Sequence, residues 1–366
     1  MYDVPALRFP EFTKGWATKS ISDLATVTGG GTPDTTVKSY WNGYIQWFTP
    51  SEIGKNKYVD LSLRTITEEG LNNSSAKLLS PYTILLSSRA TVGECSIALQ
   101  ECATNQGFQS LIAKNCDIDF LYYLIQTKKK ELIRKACGST FLEISANEIR
   151  KIHTYVPSIN EQKKIGVLLS LIDKRIDTQN KIIEKLETLI KGIVETVISS
   201  QKPNTLIKNC LECNSSTLQE SQVAETGTFP VYGATDISGY TETAGINGES
   251  ILIIKDGSGV GTVKFVSGEY SYIGTLNSLT AKDGYCLKYI YFALQRFSFE
   301  PYKTGMAIPH IYFKDYGKAK IYCPSFSLQT LIAQKLSLIE NKMEVEKRII
   351  LCYQLQKSYL LSRMFI

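Results

Sequence analysis

Histidine is nearly absent from this chain: His153 and His310 are the only two among 366 residues. Each stands alone ahead of a long helical run, which leaves little material for a histidine general base or a histidine-rich metal cage. The nine cysteines are odd in number and irregularly spaced. Their one C-x-x-C pair, Cys210 and Cys213, has no second pair or nearby histidine to complete a zinc set, so no metal site is expected. No apolar run reaches membrane-spanning length, and no membrane partner is expected. A G-x-x-x-x-G-K-[ST] phosphate loop is missing too. The best substitute, the glycine-rich stretch 256–261, lies between two β-prone runs rather than opening a helix whose free amides could hold a pyrophosphate. It reads as a hairpin turn. With no nucleophile elbow and no acidic cluster for a two-metal site, the chain is expected to have no catalytic residues.

What the chain does have is ordinary globular composition, 43% apolar residues, and a slight basic excess, 41 Lys and Arg against 35 Asp and Glu. That gives a net charge of +6 and a pI near 8.6, which permits a polyanionic partner without requiring one. Unpaired cysteines and the lack of a leader-like start point to the reducing cytoplasm.

The strongest pattern runs from 158 to 199. Ile165, Leu169, Ile172, Ile176, Ile183, Leu186, Ile190, Ile193 and Val197 recur at steps of four and three, interrupted only by Gln179. This spacing predicts a coiled-coil seam on a long helix. Pro157, Ser158 and Glu161 predict its start as a capping box.

A shift of 167 residues regenerates the pattern as Ile332, Leu336, Ile339, Met343, Glu346, Ile350 and Tyr353, then Lys357, Leu360 and Met364. The helix entry repeats as well, with Tyr155, Pro157 and Ser158 falling on Tyr322, Pro324 and Ser325. An internal duplication is the economical explanation. Related by an approximate twofold axis, the two helices would pair antiparallel and act as a ruler, with Gln179 and Glu346 near the middle setting register.

Each helix is preceded by a mixed α/β block. Thr83 to Ser88 falls on Ser250 to Lys255 at the same shift, Ser110-Leu111 falls on Ser278-Leu279 at 168, and Tyr122 on Tyr289 at 167. A helix is predicted over 121–135. The loops differ: the Gly-Thr-Pro loop at 30–33 has no counterpart, and Phe229-Pro230-Val231-Tyr232-Gly233 reads as belonging to the second block alone. A common scaffold with altered loops suits two recognition modules with different targets.

These loops supply the candidate nucleic-acid contacts. In the first block they are Gly31, Thr32, Lys38, Gln46, Arg89, Thr91, Asn105, Gln106 and Phe108; in the second, Tyr232, Thr235, Lys255, Ser258, Thr275 and Asn277. Such side chains present donors and acceptors to base edges, while lysine and arginine hold phosphates. Solvated turns carry the same residue types. The outward Lys163, Lys164, Lys174, Arg175, Lys181 and Lys185 suit a partner subunit, phosphates or plain solvent equally.

The opening 5–12 segment PALRFPEF, Trp16, Gly30-Gly31-Thr32-Pro33, Thr104-Asn105-Gln106-Gly107-Phe108 and 157–162 together resemble specificity subunits of type I restriction-modification systems. Pro230-Val231-Tyr232-Gly233 and 274–279 of the second block do so as well. Leu328 stands where the first helix has Glu161, and the start of the second block is degenerate.

The resemblance implies an α+β protein with two target recognition domains, 1–157 and 201–324, and two spacer helices, 158–200 and 325–366. It implies a non-catalytic reader of a bipartite double-stranded DNA site. Two modification (methyltransferase) subunits and the restriction subunits would assemble on it, and S-adenosylmethionine, ATP and Mg would belong to those partners, with no cofactor bound by this chain. A free-standing bipartite DNA-binding protein and a nucleotide-dependent enzyme remain the rival readings.

Overall fold

The structure is a computed structural model and describes residues 4–138 and 142–366. The chain divides into two compact units, one formed by the residues up to 180 together with 348–366, the other by 181–347. The division cuts both long helices. Each unit therefore combines one α/β block with a stretch of each helix, a partition the helix pattern alone does not give.

The long helices span Ile159–Val194 and Phe326–Met364, roughly 54 and 58 Å at 1.5 Å per residue. Their seam positions are all buried or half-buried. The last turn of the first helix departs from the expected spacing. Glu195–Ser199 is π-helical, with the Ser200 amide donating to the Glu195 carbonyl at 2.9 Å. This wider turn rotates the apolar stripe, so Val194 and Ile198 are buried while Val197 is 37% exposed.

In the first unit, a five-stranded sheet has the order Ala25–Gly29, Gln109–Ala113, Ile84–Leu86, Cys95–Ala98 and Tyr58–Val59. A three-stranded sheet sets Trp41–Phe48 between Arg64–Ile66 and Cys102–Thr104. A helix at Ile118–Thr127 starts at Asp117, whose carboxylate accepts the Phe120 amide at 3.0 Å. The sequence suggests one amphipathic helix over 121–135, but this element stops at Thr127 and a separate helix covers Lys129–Lys135.

Phe120 through Ile125 are all buried because the helix is covered on more than one side. Ile84, Leu86, Ile97 and Leu111 of the sheet share its core with Ile165, Leu169 and Ile172 of the first long helix. Leu360, Met364 and Phe365 from the chain's end join the same core. Asp173 pairs with Lys357 at 2.7 Å and Arg175 donates to the Tyr353 hydroxyl at 3.2 Å. Position rises on one helix as it falls on the other, so within this unit they run antiparallel.

The second unit has a four-stranded sheet in the order Leu211–Ser215, Leu276–Ala281, Ser250–Ile254 and Val263–Val266. A further four-stranded sheet has the order Ile237–Thr241, Phe229–Tyr232, Glu269–Tyr272 and Ile246–Asn247. Ile190, Val194 and Ile198 meet Ile332, Ala333 and Leu336 in a core closed by Ile251, Ile253, Leu279 and the helix Leu287–Gln295. Burial of each large aliphatic side chain contributes about 1.5–3 kcal/mol before entropic costs. In both units the block is thereby anchored to both helices.

The duplication extends to single hydrogen bonds. In the first unit the Ile144 amide donates to Ser88 and the Ala90 amide to Leu142; in the second, Ile311 donates to Lys255 and Gly257 to Pro309. Every member is 167 residues from its counterpart. The central hairpins agree too, with Ile84 facing Ile97 and Ile251 facing Phe265. Between their strands the second turn has one extra residue, Gly261 occupying the place of Gly93, both at positive φ. That insertion explains the expected slip from 167 to 168.

Two sequence expectations need correction. Phe229–Tyr232 is no private feature of the second block: it lies parallel to Glu269–Tyr272 just as Trp41–Phe48 lies parallel to Cys102–Thr104. The intervening loops differ in length, which hides the match at a fixed shift. Tyr122 and Tyr289 are not strict counterparts either, because the residues preceding their helices, Asp117 and Cys286, are 169 apart.

Candidate nucleic-acid interface

The first unit brings several of its expected contact residues to one rim. The Gly31 amide donates to the Thr104 carbonyl at 2.8 Å, its own carbonyl accepts Trp47 Nε1 at 3.0 Å, and the Thr32 hydroxyl donates to the Gln106 side chain. A Cβ at Gly30 would collide with the Asn105 carbonyl, so glycine is required for this approach. Ser88 then donates its amide to Gly107 at 2.9 Å, linking the loop at 104–108 to the turn at 89–93. Arg89, Thr91 and Gln106 are exposed there, with Asn105 half-buried; Lys38 is exposed on a short helix of its own, Lys38–Tyr40.

Other expected contacts have inward roles. Phe108 is fully buried among Phe48, Ile53, Leu79 and Leu85, where it anchors its loop. Gly31 is buried, and both its backbone groups are engaged. Gln46 spends its carbonyl oxygen on the Ser62 amide at 2.8 Å and hydroxyl at 3.0 Å.

The second unit has a related rim with different side chains. Lys255 donates its amide to the Thr275 carbonyl at 3.0 Å, and Ile273 donates to Tyr232 at 3.0 Å. These bonds place Tyr232, Lys255 and Thr275 along one line, with exposed Ser258 on the turn and exposed Thr235 beyond Tyr232. Lys264 lies 4.6 Å from the Tyr232 ring centroid and pairs with Asp236. Asn277 is only 5% exposed, inside a strand, where its side chain accepts the Ser215 hydroxyl at 2.9 Å. The Thr275 hydroxyl is also buried, without a partner among the described residues. Thr275 lies in the turn just before the strand Leu276–Ala281, whose first four residues are all buried, so the strand is covered on both faces and Asn277 is enclosed with it.

The two turns carry different side-chain pairs at equivalent places. Arg89 bridges Glu143 through the backbone in the first unit, while Asp256 bridges His310 at the equivalent place, with Oδ1 3.4 Å from His310 Nδ1. The hairpin turn at 257–261 joins antiparallel strands and opens no helix. The C-x-x-C pair is divided as well: Cys210 faces Cys323, sulfur to sulfur at 3.8 Å, and its thiol is pushed up by that bond and by burial. Among the described residues no cluster of three or more His, Cys, Asp or Glu side chains is arranged to hold a metal ion. No helix among them is long and apolar enough to cross a membrane.

The sequence does not reveal two features. Arg64, exposed on the strand beside Trp41–Phe48, places its guanidinium 3.6 Å from the Trp41 ring centroid. Glu161, expected to cap its own helix, is 1% exposed and instead accepts Arg8 Nε at 2.7 Å, Arg8 Nη2 at 2.8 Å and Trp16 Nε1 at 3.3 Å. The Pro5-to-Phe12 segment is thus fastened to the first long helix, and Leu328 leaves the second helix without such an acid. Nothing local signals either: Trp41 and Trp47 both stand well ahead of Arg64 in the chain, and Arg8 stands far ahead of Glu161.

Two loop-bearing α/β units built on one duplicated plan, each rooted on both long helices, define a tandem-repeat α+β protein with a different polar rim on each repeat. The chain belongs to the type I restriction modification DNA specificity domain family, whose description it matches over residues 13–188 and 209–351. It is similar to the type I restriction enzyme MjaIX specificity subunit of Methanocaldococcus jannaschii, 39% identical over 181 residues, covering 47% of this chain and 42% of that protein. It is also similar to the EcoR124I/EcoR124II specificity subunit of Escherichia coli, 30% identical over 188 residues, 49% of this chain and 45% of that one. The matched stretch thus spans less than half the length of these two relatives. The Escherichia coli EcoprrI specificity subunit is matched over 88% of this chain and 86% of its own length, at 22% identity. A crystal structure of the type I restriction-modification S subunit from M. genitalium has the same fold, with a TM-score of 0.68 at 18% identity, covering 100% of this chain and 99% of that one.

Proposed function

We propose that this chain is the DNA-reading subunit of a type I restriction-modification complex and that each unit reads one half of a bipartite site. The observation that carries the reading is the repeat-related clasp. The same backbone bonds, 167 residues apart, hold turns with different exposed side chains: Arg89 and Thr91 in one, Ser258 beside half-buried Lys255 in the other. A rigid frame with altered polar tips is what reading two different base sequences requires. Exposed Lys38, Arg89, Thr91, Gln106, Thr235 and Ser258, with half-buried Asn105, Tyr232 and Lys255, contact bases and phosphates. Gly31, Phe108, Thr275 and Asn277 shape the loops instead.

The chain is non-catalytic. Two methyltransferase subunits and the restriction subunits dock on it in the cytoplasm, and S-adenosylmethionine, ATP and Mg serve those partners. The domains are 1–157, 158–200, 201–324 and 325–366, with helix length setting the distance between half-sites. Selection from randomised duplex DNA with the assembled complex tests this. Two fixed sequence blocks separated by a constant unspecified spacer are expected; a single continuous site would argue for the free-standing regulator, and no enrichment would reject DNA reading. Titration of the isolated chain with ATP and S-adenosylmethionine should show no binding.

A further inference from the structure

We infer that Arg64 reads a guanine in the first half-site, a role that rests on the DNA-reading function proposed above. Arg64 opposes Trp47 in the sheet register. Its guanidinium lies 3.6 Å from the Trp41 ring centroid and 5.6 Å from that of Trp47. Both indoles are themselves fixed. Trp41 Nε1 donates to the Asp34 carbonyl at 3.1 Å, Trp47 Nε1 donates to Gly31 at 3.0 Å, and the two rings meet edge to face at 5.1 Å. They belong to a small core with Ile45, Ile66, Ala76 and Ala103. Arg64 therefore lies on a rigid aromatic platform.

An arginine stacked on tryptophan is often only a lid over apolar surface. Three observations point further. The residue is exposed, yet its side-chain nitrogens have no hydrogen-bond acceptor and no carboxylate partner among the described residues. A planar fork held by stacking loses little freedom on binding, which suits the two acceptors, O6 and N7, that guanine presents in the major groove. The platform also touches the exposed rim directly, through the Trp47 bond to Gly31 and the Gly31 bond to Thr104.

The second unit lacks the device. There Val231 takes the place of Trp47 and faces Gly239, where Arg64 would stand. A Cβ at Gly239 would press on the Ala224 carbonyl and the Val223 side chain, so no arginine fits that position. Arg64 therefore bears on one half-site alone.

The test is selection and competition binding with the assembled complex carrying the wild-type chain, Arg64→Ala or Arg64→Lys. Both substitutions are expected to relax one G·C position of the first half-site by about 5- to 150-fold in discrimination. The second half-site and the slope of log K against log salt should be unchanged. The lysine variant keeps an aliphatic stem over the indole and serves alone if the alanine chain does not fold. Unaltered base preference would overturn the inference, as would uniform weakening with the salt slope reduced by about one, the mark of a phosphate contact. If the wild-type complex itself selects no bipartite site, the underlying function fails rather than this residue's role alone.

Discussion

Gln162 and Gln329, 167 residues apart, do the same work at the root of each long helix. Gln162 donates to the Pro157 carbonyl at 2.9 Å and accepts the Asp117 amide at 2.9 Å; Gln329 donates to Pro324 at 2.8 Å and accepts the Cys286 amide at 3.0 Å. Both are almost fully buried, at 3% and 2% exposure. One side chain thus ties the start of a long helix to the start of the block's own helix in each unit.

Replacing either glutamine with leucine strands a carbonyl, buried at Pro157 and half-buried at Pro324, and a half-buried amide. A loss of about 1–3 kcal/mol is expected for each. Thermal unfolding with limited proteolysis checks it: Gln162→Leu should loosen the first unit and Gln329→Leu the second. Equal loosening of both by either change would show that the units do not melt separately.

Arg8→Ala leaves the Glu161 carboxylate buried and short of its main partner. On the order of 3 kcal/mol should be lost, and proteolysis ahead of Trp16 should quicken. Leu328→Glu offers the second helix an acid with no arginine waiting, so it should not stabilise. Midpoints of urea unfolding measure both changes.

Burial pushes the thiols of Cys95, Cys102 and Cys116 up to about 12 from an ordinary 9.0. The folded chain keeps these protons after the unfolded chain has released them. Stability should therefore be intact below about pH 9 and fall as pH rises from there toward 12. Urea titrations at stepped pH measure the slope. Alkylation of the native chain near pH 8 should mark exposed Cys137 and Cys352 first and spare the three buried thiols.

Sequence patterns disclose the features that depend on local spacing. Ile165, Leu169, Ile172 and their repeats identify the helices, and the one-residue slip between Ser110 and Ser278 correctly locates an insertion in a turn. Features set by distant contacts are invisible. Glu161 looks like a cap residue because its neighbours fit that motif; Arg8, 153 positions away, claims it instead. Asn277 and Phe108 look like loop contacts by composition, but Asn277 sits in a strand covered on both faces and Phe108 packs into a core. Val197 fails because a π-helical turn breaks the period from which it is inferred.

The central claim is that two separate readers share one frame, and exchanging a single block tests it most directly. A chain whose residues 201–324 are replaced by the matching block of another family member is assembled with its partner subunits and used to select from randomised duplexes. One half-site should change to the donor's sequence while the other half-site and the spacer length stay fixed. Simultaneous change of both half-sites, or of neither, would contradict the account.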